Sequence, residues 1–230
     1  MKILGFGDSF ITDNDLSYTY TAITRYHFNA ELNLYGKAGS GSWDAFFSFL
    51  DRNETCDVLM FVWSAEHRTY HPHYSNICPA TIEENLDTAP IWEAAKQYYA
   101  YLYDCRKAYY EHVSFYNWVD QYLHDNHSNT KVIHLWGFPA GNIYTNNGQY
   151  IPQEPYTWDE KDKYNYLYRF KHGTEIRPAL INLSYRDGWP VDLSKETRCH
   201  HMTPSMHEYL SKYVIDAIEN YEPGRLVEIP

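Results

Sequence analysis

The chain of 230 residues lacks the cysteine pattern of a small disulfide-rich or zinc-stabilised domain. It has only 4 cysteines, and none of them shows the Cys-x-x-Cys spacing typical of zinc sites. The four positions are Cys56, Cys78, Cys105 and Cys199. This scatter excludes a zinc ribbon and a dense disulfide framework, and it favours a reducing compartment.

Positive charge and long hydrophobic runs are also scarce. Lys and Arg number 19 against 30 Asp and Glu, which gives a formal net charge of -11. Because phosphate backbones are bound by clustered Lys and Arg, we expect no nucleic-acid partner. No stretch approaches the roughly 20 apolar residues of a membrane span, so no membrane partner is expected. The apolar start is too short for a signal peptide, which predicts a cytoplasmic location in the producing cell.

No Gly-, Ser- or Pro-rich linker divides the chain, which favours a single α/β domain over residues 1–230. Apolar runs typical of buried strands alternate with segments of helical periodicity, including a long segment with an expected break. The strand segments are 2–6, 30–35, 56–63 and 130–136, and the helical ones are 43–50, 90–124 and 206–218. This alternation predicts a three-layer flavodoxin-like sandwich, with about five parallel strands and helices on both faces. Residues from about 140 to 190 are predicted to form variable, substrate-facing loops, with one short helix near residues 159–170.

Residues with catalytic potential lie at the two ends of the chain. Asp8 and Ser9 directly follow the first predicted strand, so we expect the Ser9 hydroxyl at the carboxyl edge of the sheet. A hydroxyl is a weak nucleophile that needs a base, and His200 and His201 stand just before the last helix. The turn 36–42 follows the second strand, and its glycines let backbone N–H groups point into the same site.

This arrangement resembles the GDSL or SGNH hydrolase family. The resemblance implies that Ser9 is the nucleophile and, through its N–H, the first oxyanion donor. It implies Gly39 as the second donor, with Gly41 as the alternative register. By the same resemblance His201 is the base, because a second histidine follows six positions later in many members; His200 remains the alternative.

Two positions depart from the family pattern. No asparagine follows the third strand, so Ser64 or Glu66 has to occupy the place of the family's oxyanion donor. A serine hydroxyl can donate to an oxyanion, whereas an ionised glutamate repels it. The stretch 63–68, which begins with Trp-Ser and ends with Arg, is similar to a Trp-Ser/Thr-x-x-x-Arg segment of some phage-encoded members of that family. Arg198 stands where an aspartate is expected, so a backbone carbonyl or Asp192 has to orient the His201 imidazole.

We expect no metal and no organic cofactor. His67, His71 and His73 lie close in sequence, but no carboxylate or cysteine spacing completes a metal site, which favours a solvated loop. The resemblance implies a serine esterase or deacetylase that forms an acyl-serine, with a small-molecule or carbohydrate ester, for example an O-acetyl sugar, as its partner. Two alternatives stay open: an inactive binding or structural module, as in a virion of a phage, and an acyltransferase.

Overall fold

A computed structural model describes residues 1–12, 16–52, 54–65, 68–74, 77–78, 82, 90–138, 168–188 and 201–230, without the side chains of residues 105, 106 and 109. Its strands are β1 (Lys2–Gly7), β2 (Glu31–Gly36), β3 (Val58–Trp63), β4 (Lys131–Trp136), β5 (Thr174–Arg177) and β6 (Leu226–Glu228). Its helices are α1 (Tyr20–Phe28), α2 (Ser42–Arg52), α3 (Pro90–Tyr101), α4 (Cys105–Asn126), α5 (Leu180–Arg186) and α6 (Pro204–Glu219).

The strands form one parallel sheet in the order β2-β1-β3-β4-β5-β6, which is flavodoxin-like, as predicted. Phe6 of β1 pairs with Tyr35 of β2 on one side and with Phe61 of β3 on the other. Because the strands are parallel, their carboxyl ends share one edge of the sheet, and the chain reverses its winding beside β1. Residues that follow β1 therefore lie where ligands bind in this class of sheet.

Helices cover both faces of the sheet. Side chains alternate along β4, so Lys131 and His134 lie on opposite faces. Lys131 Nζ donates to the carbonyl of Ile218 in α6 over 2.8 Å. His134 stacks with Trp63, which contacts Tyr116 of α4 at a centroid distance of 5.3 Å. Since α1 packs on α6 and α2 packs with α4, the molecule has the predicted three layers.

Aromatic side chains fill the space between the sheet and the layer of α2 and α4. Phe46 of α2 packs on Phe61 of β3, and Tyr116 of α4 packs on Trp136 of β4. All four are buried, and removing a large apolar side chain from water contributes about 1.5–3 kcal/mol. This layer accounts for part of the aromatic content of the chain, which is 18% of its residues. In the part of the chain that the structure describes, no helix is both long and apolar enough to cross a membrane.

Two details differ from the sequence expectation. The sheet has six strands instead of about five, because β6 has only three residues and is too short to show an apolar pattern. The region 140–190 is not wholly a loop, since residues 174–186 supply β5 and α5. Phe170, Ile176, Leu180 and Leu183 belong to the hydrophobic core. The expected break in the helical segment 90–124 does occur, between α3 and α4.

Candidate active site

Ser9 lies in a tight turn that begins where β1 ends. The Asp8 carboxylate accepts a hydrogen bond from the Phe10 amide over 3.1 Å, and the Asp8 carbonyl accepts one from Ile11 over 3.1 Å. This is the side-chain and backbone pairing of an Asx turn, which aspartate favours. Asp8 and Phe10 are buried while Ser9 between them is half-buried. The turn therefore presents the Ser9 hydroxyl at the carboxyl edge of the sheet.

His201 reaches Ser9 from the other end of the chain. Its Nε2 lies 2.9 Å from the Ser9 Oγ, which is hydrogen-bonding distance. His201 has a left-handed backbone conformation, with φ of 63°, in the loop just before α6. Its ring packs edge-on against Phe10 at a centroid distance of 5.0 Å. With the proton on Nδ1, Nε2 accepts the hydroxyl proton, as a general base must.

The glycine-containing turn after β2 lies against the turn that carries Ser9. Lys37 N and Ser40 Oγ both donate to the carbonyl of Gly7, each over 3.0 Å. Ser40 N donates to the Lys37 carbonyl over 3.0 Å, which closes a turn with Gly39 as its third residue. The φ of Gly39 is 75°, as a type II turn requires at that position. Among the residues that the structure describes, neither the Ser9 nor the Gly39 amide donates a hydrogen bond.

Two other predicted oxyanion donors are already engaged. The Gly41 amide donates to the Asp44 carboxylate over 2.9 Å. The Gly39 amide is therefore the better candidate for the second oxyanion donor. The Ser64 hydroxyl donates to Asp8 Oδ2 over 2.9 Å, and the Ser64 amide donates to Ser42 Oγ over 2.9 Å. In this geometry Ser64 supports the Asp8 carboxylate and has no donor to offer an oxyanion.

Asp8 is a fully buried carboxylate beside the nucleophile. Its Oδ2 accepts from Ser64 and, over 3.3 Å, from Arg68 Nη1. Burial raises the pKa of Asp8, while the Arg68 guanidinium, the Phe10 amide and the Ser64 hydroxyl oppose that rise. The His201 imidazole acts on the Asp8 pKa in the same direction as Arg68. Asp8 thus organises the turn that carries Ser9.

Three predicted residues lie outside the described part of the chain. These are Glu66, His200 and Asp192. His67 and Arg198 also lie outside it. Within the described residues, no three His, Cys, Asp or Glu side chains are grouped so that they could hold a metal ion.

Sequence reasoning missed two residues that shape the site. Arg68 was visible in the stretch after β3 but had no assigned role, and it contacts both Asp8 and the Ser40 carbonyl. Asp187 follows α5, and its carboxylate accepts hydrogen bonds from Thr203 N and Oγ1 over 2.6 and 2.9 Å. No local pattern marks Asp187, because its partner is 16 residues away along the chain.

The comparisons with known proteins concern the fold. No protein-family model and no curated protein matches the chain. Among solved structures, an acetyl xylan esterase, AlAXEase, is 18% identical over 59% of this chain and 57% of its own, with a TM-score of 0.33. A carbohydrate esterase described by its divergent catalytic and non-catalytic binding functions is 12% identical over 96% of this chain and 69% of its own, with a TM-score of 0.45.

A third structure, described as a GDSL-like lipase from Parabacteroides merdae, is 14% identical over 65% of this chain and 66% of its own, with a TM-score of 0.33. This chain therefore spans 57%, 69% and 66% of the length of these three neighbours. The described residues form a six-stranded parallel sheet of the flavodoxin-like α/β type, in which Ser9 follows β1 and His201 precedes α6.

Proposed function

We propose that the protein is a serine esterase that hydrolyses a carboxylic ester through an acyl-serine intermediate. The observation that carries this proposal is the 2.9 Å distance between Ser9 Oγ and His201 Nε2. These residues are 192 positions apart in the chain, and a hydroxyl paired with an imidazole at a sheet edge is the arrangement that nucleophilic acyl transfer requires.

The reaction follows from the positions of three residues. His201 accepts the Ser9 proton as the hydroxyl attacks the ester carbonyl, and the carbonyl oxygen becomes an oxyanion. The Ser9 and Gly39 amides donate to that oxygen. His201 then gives the proton to the leaving alcohol, and the acyl group stays on Ser9. Water, deprotonated by His201, releases the acid and restores the serine.

We extend the proposal to an ester on a carbohydrate, because two similar structures are named as an acetyl xylan esterase and a carbohydrate esterase, and we take an acetyl ester as the first candidate. A cavity of about 430 Å³ adjoins the glycine turn and includes Lys37 and Ser40 in its lining. Phe47, Tyr70 and Asp44 line its other parts, and the Tyr70 side chain is 39% exposed. Aromatic rings with charged groups between them suit the apolar faces and the hydroxyl groups of sugar rings.

The test is the hydrolysis of p-nitrophenyl acetate by the purified chain of 230 residues. Ser9→Ala and His201→Gln are each expected to lower kcat by a factor of about 10⁴ or more, because a nucleophile and its base act as one unit. Ser128→Ala is the matched control, since this exposed serine lies in the turn before β4, at the opposite edge of the sheet. An unchanged rate in Ser9→Ala contradicts the proposal.

A fluorophosphonate probe separates catalysis from binding alone. We expect covalent labelling of the native protein that is lost in Ser9→Ala and kept in Ser128→Ala. Folded protein that never reacts with the probe supports the alternative of an inactive binding module. Competition by an acetylated xylan oligosaccharide, and not by its deacetylated form, tests the carbohydrate part of the proposal.

A further inference from the structure

We propose that Arg68 is a positioning residue that fixes the turn carrying Ser9 relative to the turn carrying Gly39. The inference rests on the proposed function and extends it, because those two turns supply the two oxyanion donors. Arg68 touches neither donor directly. It acts through the residues next to them in the chain, Asp8 and Ser40.

One nitrogen of Arg68 joins the two turns. Arg68 Nη1 donates to Asp8 Oδ2 over 3.3 Å and to the Ser40 carbonyl over 3.0 Å. Asp8 directly precedes Ser9, and Ser40 directly follows Gly39. Because a planar guanidinium holds its donors in a fixed geometry, the shared contact restrains the distance between the two turns.

The surroundings of Arg68 limit its movement. Its side chain is only 13% exposed, and its guanidinium lies over the Phe138 ring, 4.6 Å from the centroid. Phe138 packs on Phe10, which in turn contacts the His201 ring. The guanidinium therefore packs into the same aromatic group that supports the base. A cation held over an aromatic face in a partly dry site is stabilised by the ring.

The charge of Arg68 also has a specific partner. Asp8 is fully buried, and an unpaired buried carboxylate is costly, so the cation favours its charged form. The Arg68 Nε is buried without a hydrogen-bond partner among the described residues. A buried donor without a partner is unusual in a folded protein. Here the two hydrogen bonds of Nη1 fix the position of the Arg68 side chain, and in that position Nε reaches no acceptor among the described residues.

This role accounts for a departure from the family pattern. By the resemblance, Ser64 or Glu66 takes the place of the family's asparagine donor after β3, and the Ser64 hydroxyl donates to Asp8 instead. Of the predicted oxyanion donors that the structure describes, the Ser9 and Gly39 amides then remain, and the Ser64 hydroxyl is engaged elsewhere. With fewer donors, catalysis depends more on the exact separation of the Ser9 and Gly39 amides, which is the quantity that Arg68 restrains.

The experiment measures kcat and KM for p-nitrophenyl acetate in Arg68→Met and Arg68→Lys. We expect Arg68→Met to lower kcat about 10²-fold with KM changed less than about twofold, since displacing a donor by about 1 Å affects the transition state more than substrate binding. Arg68→Lys keeps the charge and is expected to recover part of that loss. Arg225→Met is the matched control, because Arg225 is also ion-paired and partly buried but precedes β6, at the opposite edge of the sheet.

A second variant separates positioning from charge neutralisation. Asp8→Asn combined with Arg68→Met removes both charges, so no unpaired carboxylate remains buried and the double variant is expected to be more stable than Arg68→Met alone. If positioning is the role, kcat stays low in the double variant. Recovery of the wild-type kcat there shows that Arg68 only neutralises Asp8, and that result overturns the inference.

A measurement without substrate completes the test. The amide resonances of Ser9 and Gly39 in a ¹⁵N correlation spectrum are expected to shift in Arg68→Met and to stay in place in Arg225→Met. Unshifted amides, or a wild-type kcat in Arg68→Met while Ser9→Ala is inactive, overturn the positioning role and leave the esterase proposal intact. A Ser9→Ala variant with wild-type kcat overturns the esterase proposal itself.

Discussion

The direction of a single peptide N–H decides whether the glycine turn can serve this site. Gly39 has φ of 75°, while Ala38 before it is not among the residues with positive φ. These are the conformations of a type II turn, and the peptide between its two central residues rotates by roughly 180° on going to type I. The side chain of any other residue at position 39 disfavours type II and favours the rotated form.

Gly39→Ala is therefore expected to turn the Gly39 N–H away from the site. Loss of one oxyanion donor lowers kcat about 10²- to 10³-fold. The backbone strain alone costs about 1–2 kcal/mol of unfolding free energy. Esterase kinetics and urea unfolding of the same preparation measure the two effects.

Gly224→Ala is the matched control for that substitution. Gly224 has φ of 79°, and an added Cβ makes only an ordinary contact, 3.4 Å from the Lys171 carbonyl. It lies just before β6, at the opposite edge of the sheet. We expect a similar loss of stability and an unchanged kcat. Equal kinetic losses in the two variants show that Gly39 has no special role.

At the scale of elements, the start of α6 determines where His201 lies. The Thr203 hydroxyl accepts a hydrogen bond from Met206 N over 3.4 Å and so caps the helix. The Asp187 carboxylate, at the end of α5, holds Thr203 through the two hydrogen bonds described above. Met202 is fully buried between His201 and the cap. The histidine is thus held by a cap, a buried side chain and a neighbouring helix.

Asp187→Ala is expected to loosen this loop. It removes two charge-assisted hydrogen bonds, each worth about 1.5–3 kcal/mol. The His201 side chain can then occupy a wider range of positions. We expect a lower melting temperature and a decrease in kcat of about tenfold, with KM little changed. Calorimetry and steady-state kinetics measure the two quantities.

Asp125→Ala is the control for the loss of a carboxylate near a helix end. Asp125 is exposed in the last turn of α4 and accepts a hydrogen bond from Gln121 over 2.9 Å. The Asp125→Ala substitution is expected to change neither the melting temperature nor kcat noticeably. If Asp187→Ala is destabilised but keeps its full kcat, the contact supports the fold and not the position of His201.

Elements differ in how well their sequences predicted them. Residues 58–63 are buried throughout β3, and this continuous apolar run was read correctly as a central strand. β5 was missed because Thr174-Glu175-Ile176-Arg177 reads as a polar segment. Glu175 is nevertheless fully buried, paired with Arg169 and Arg177. In a sequence, charged residues that pair with each other inside the folded protein cannot be distinguished from charged residues on its surface.

At the scale of the whole molecule, buried titratable groups make stability depend on pH. His134 is fully buried, with Nδ1 accepting from the Trp63 indole and Nε2 donating to the His172 carbonyl. Burial lowers the pKa of His134 from 6.5 to about 4. Between these values the unfolded chain binds a proton at this histidine and the folded protein does not, so stability falls as the pH drops from 6.5 to about 4.

We therefore expect His134 to contribute a loss of up to about 3 kcal/mol of unfolding free energy across that pH range. The raised pKa of Asp8 acts in the opposite sense, because the folded protein binds that proton more readily than the unfolded chain. A comparison of the wild type with His134→Gln isolates the histidine. Urea unfolding at several pH values is expected to give a shallower acid decline for the variant. Parallel curves contradict the assignment.

Part of the candidate site could be predicted from the sequence alone. Ser9 stood out because Gly-Asp-Ser follows an apolar run, and His201 because it precedes a clear amphipathic helix. The family resemblance favoured Gly39 over Gly41 as the second donor, and of these two amides only that of Gly41 donates to Asp44. Ser64 was assigned as a donor by its position, yet its hydroxyl points to a buried carboxylate.

The sequence by itself determined the class of fold, because the periods of apolar residues and the turn residues after each strand are local properties. It also marked Ser9 as the candidate nucleophile and His201, with His200 as the alternative, as the candidate base. Tertiary structure alone decided that Ser9 and His201 meet at 2.9 Å, and that Arg68 joins Asp8 to the glycine turn. These contacts join residues separated by up to 192 positions, so their geometry depends on packing and not on local pattern.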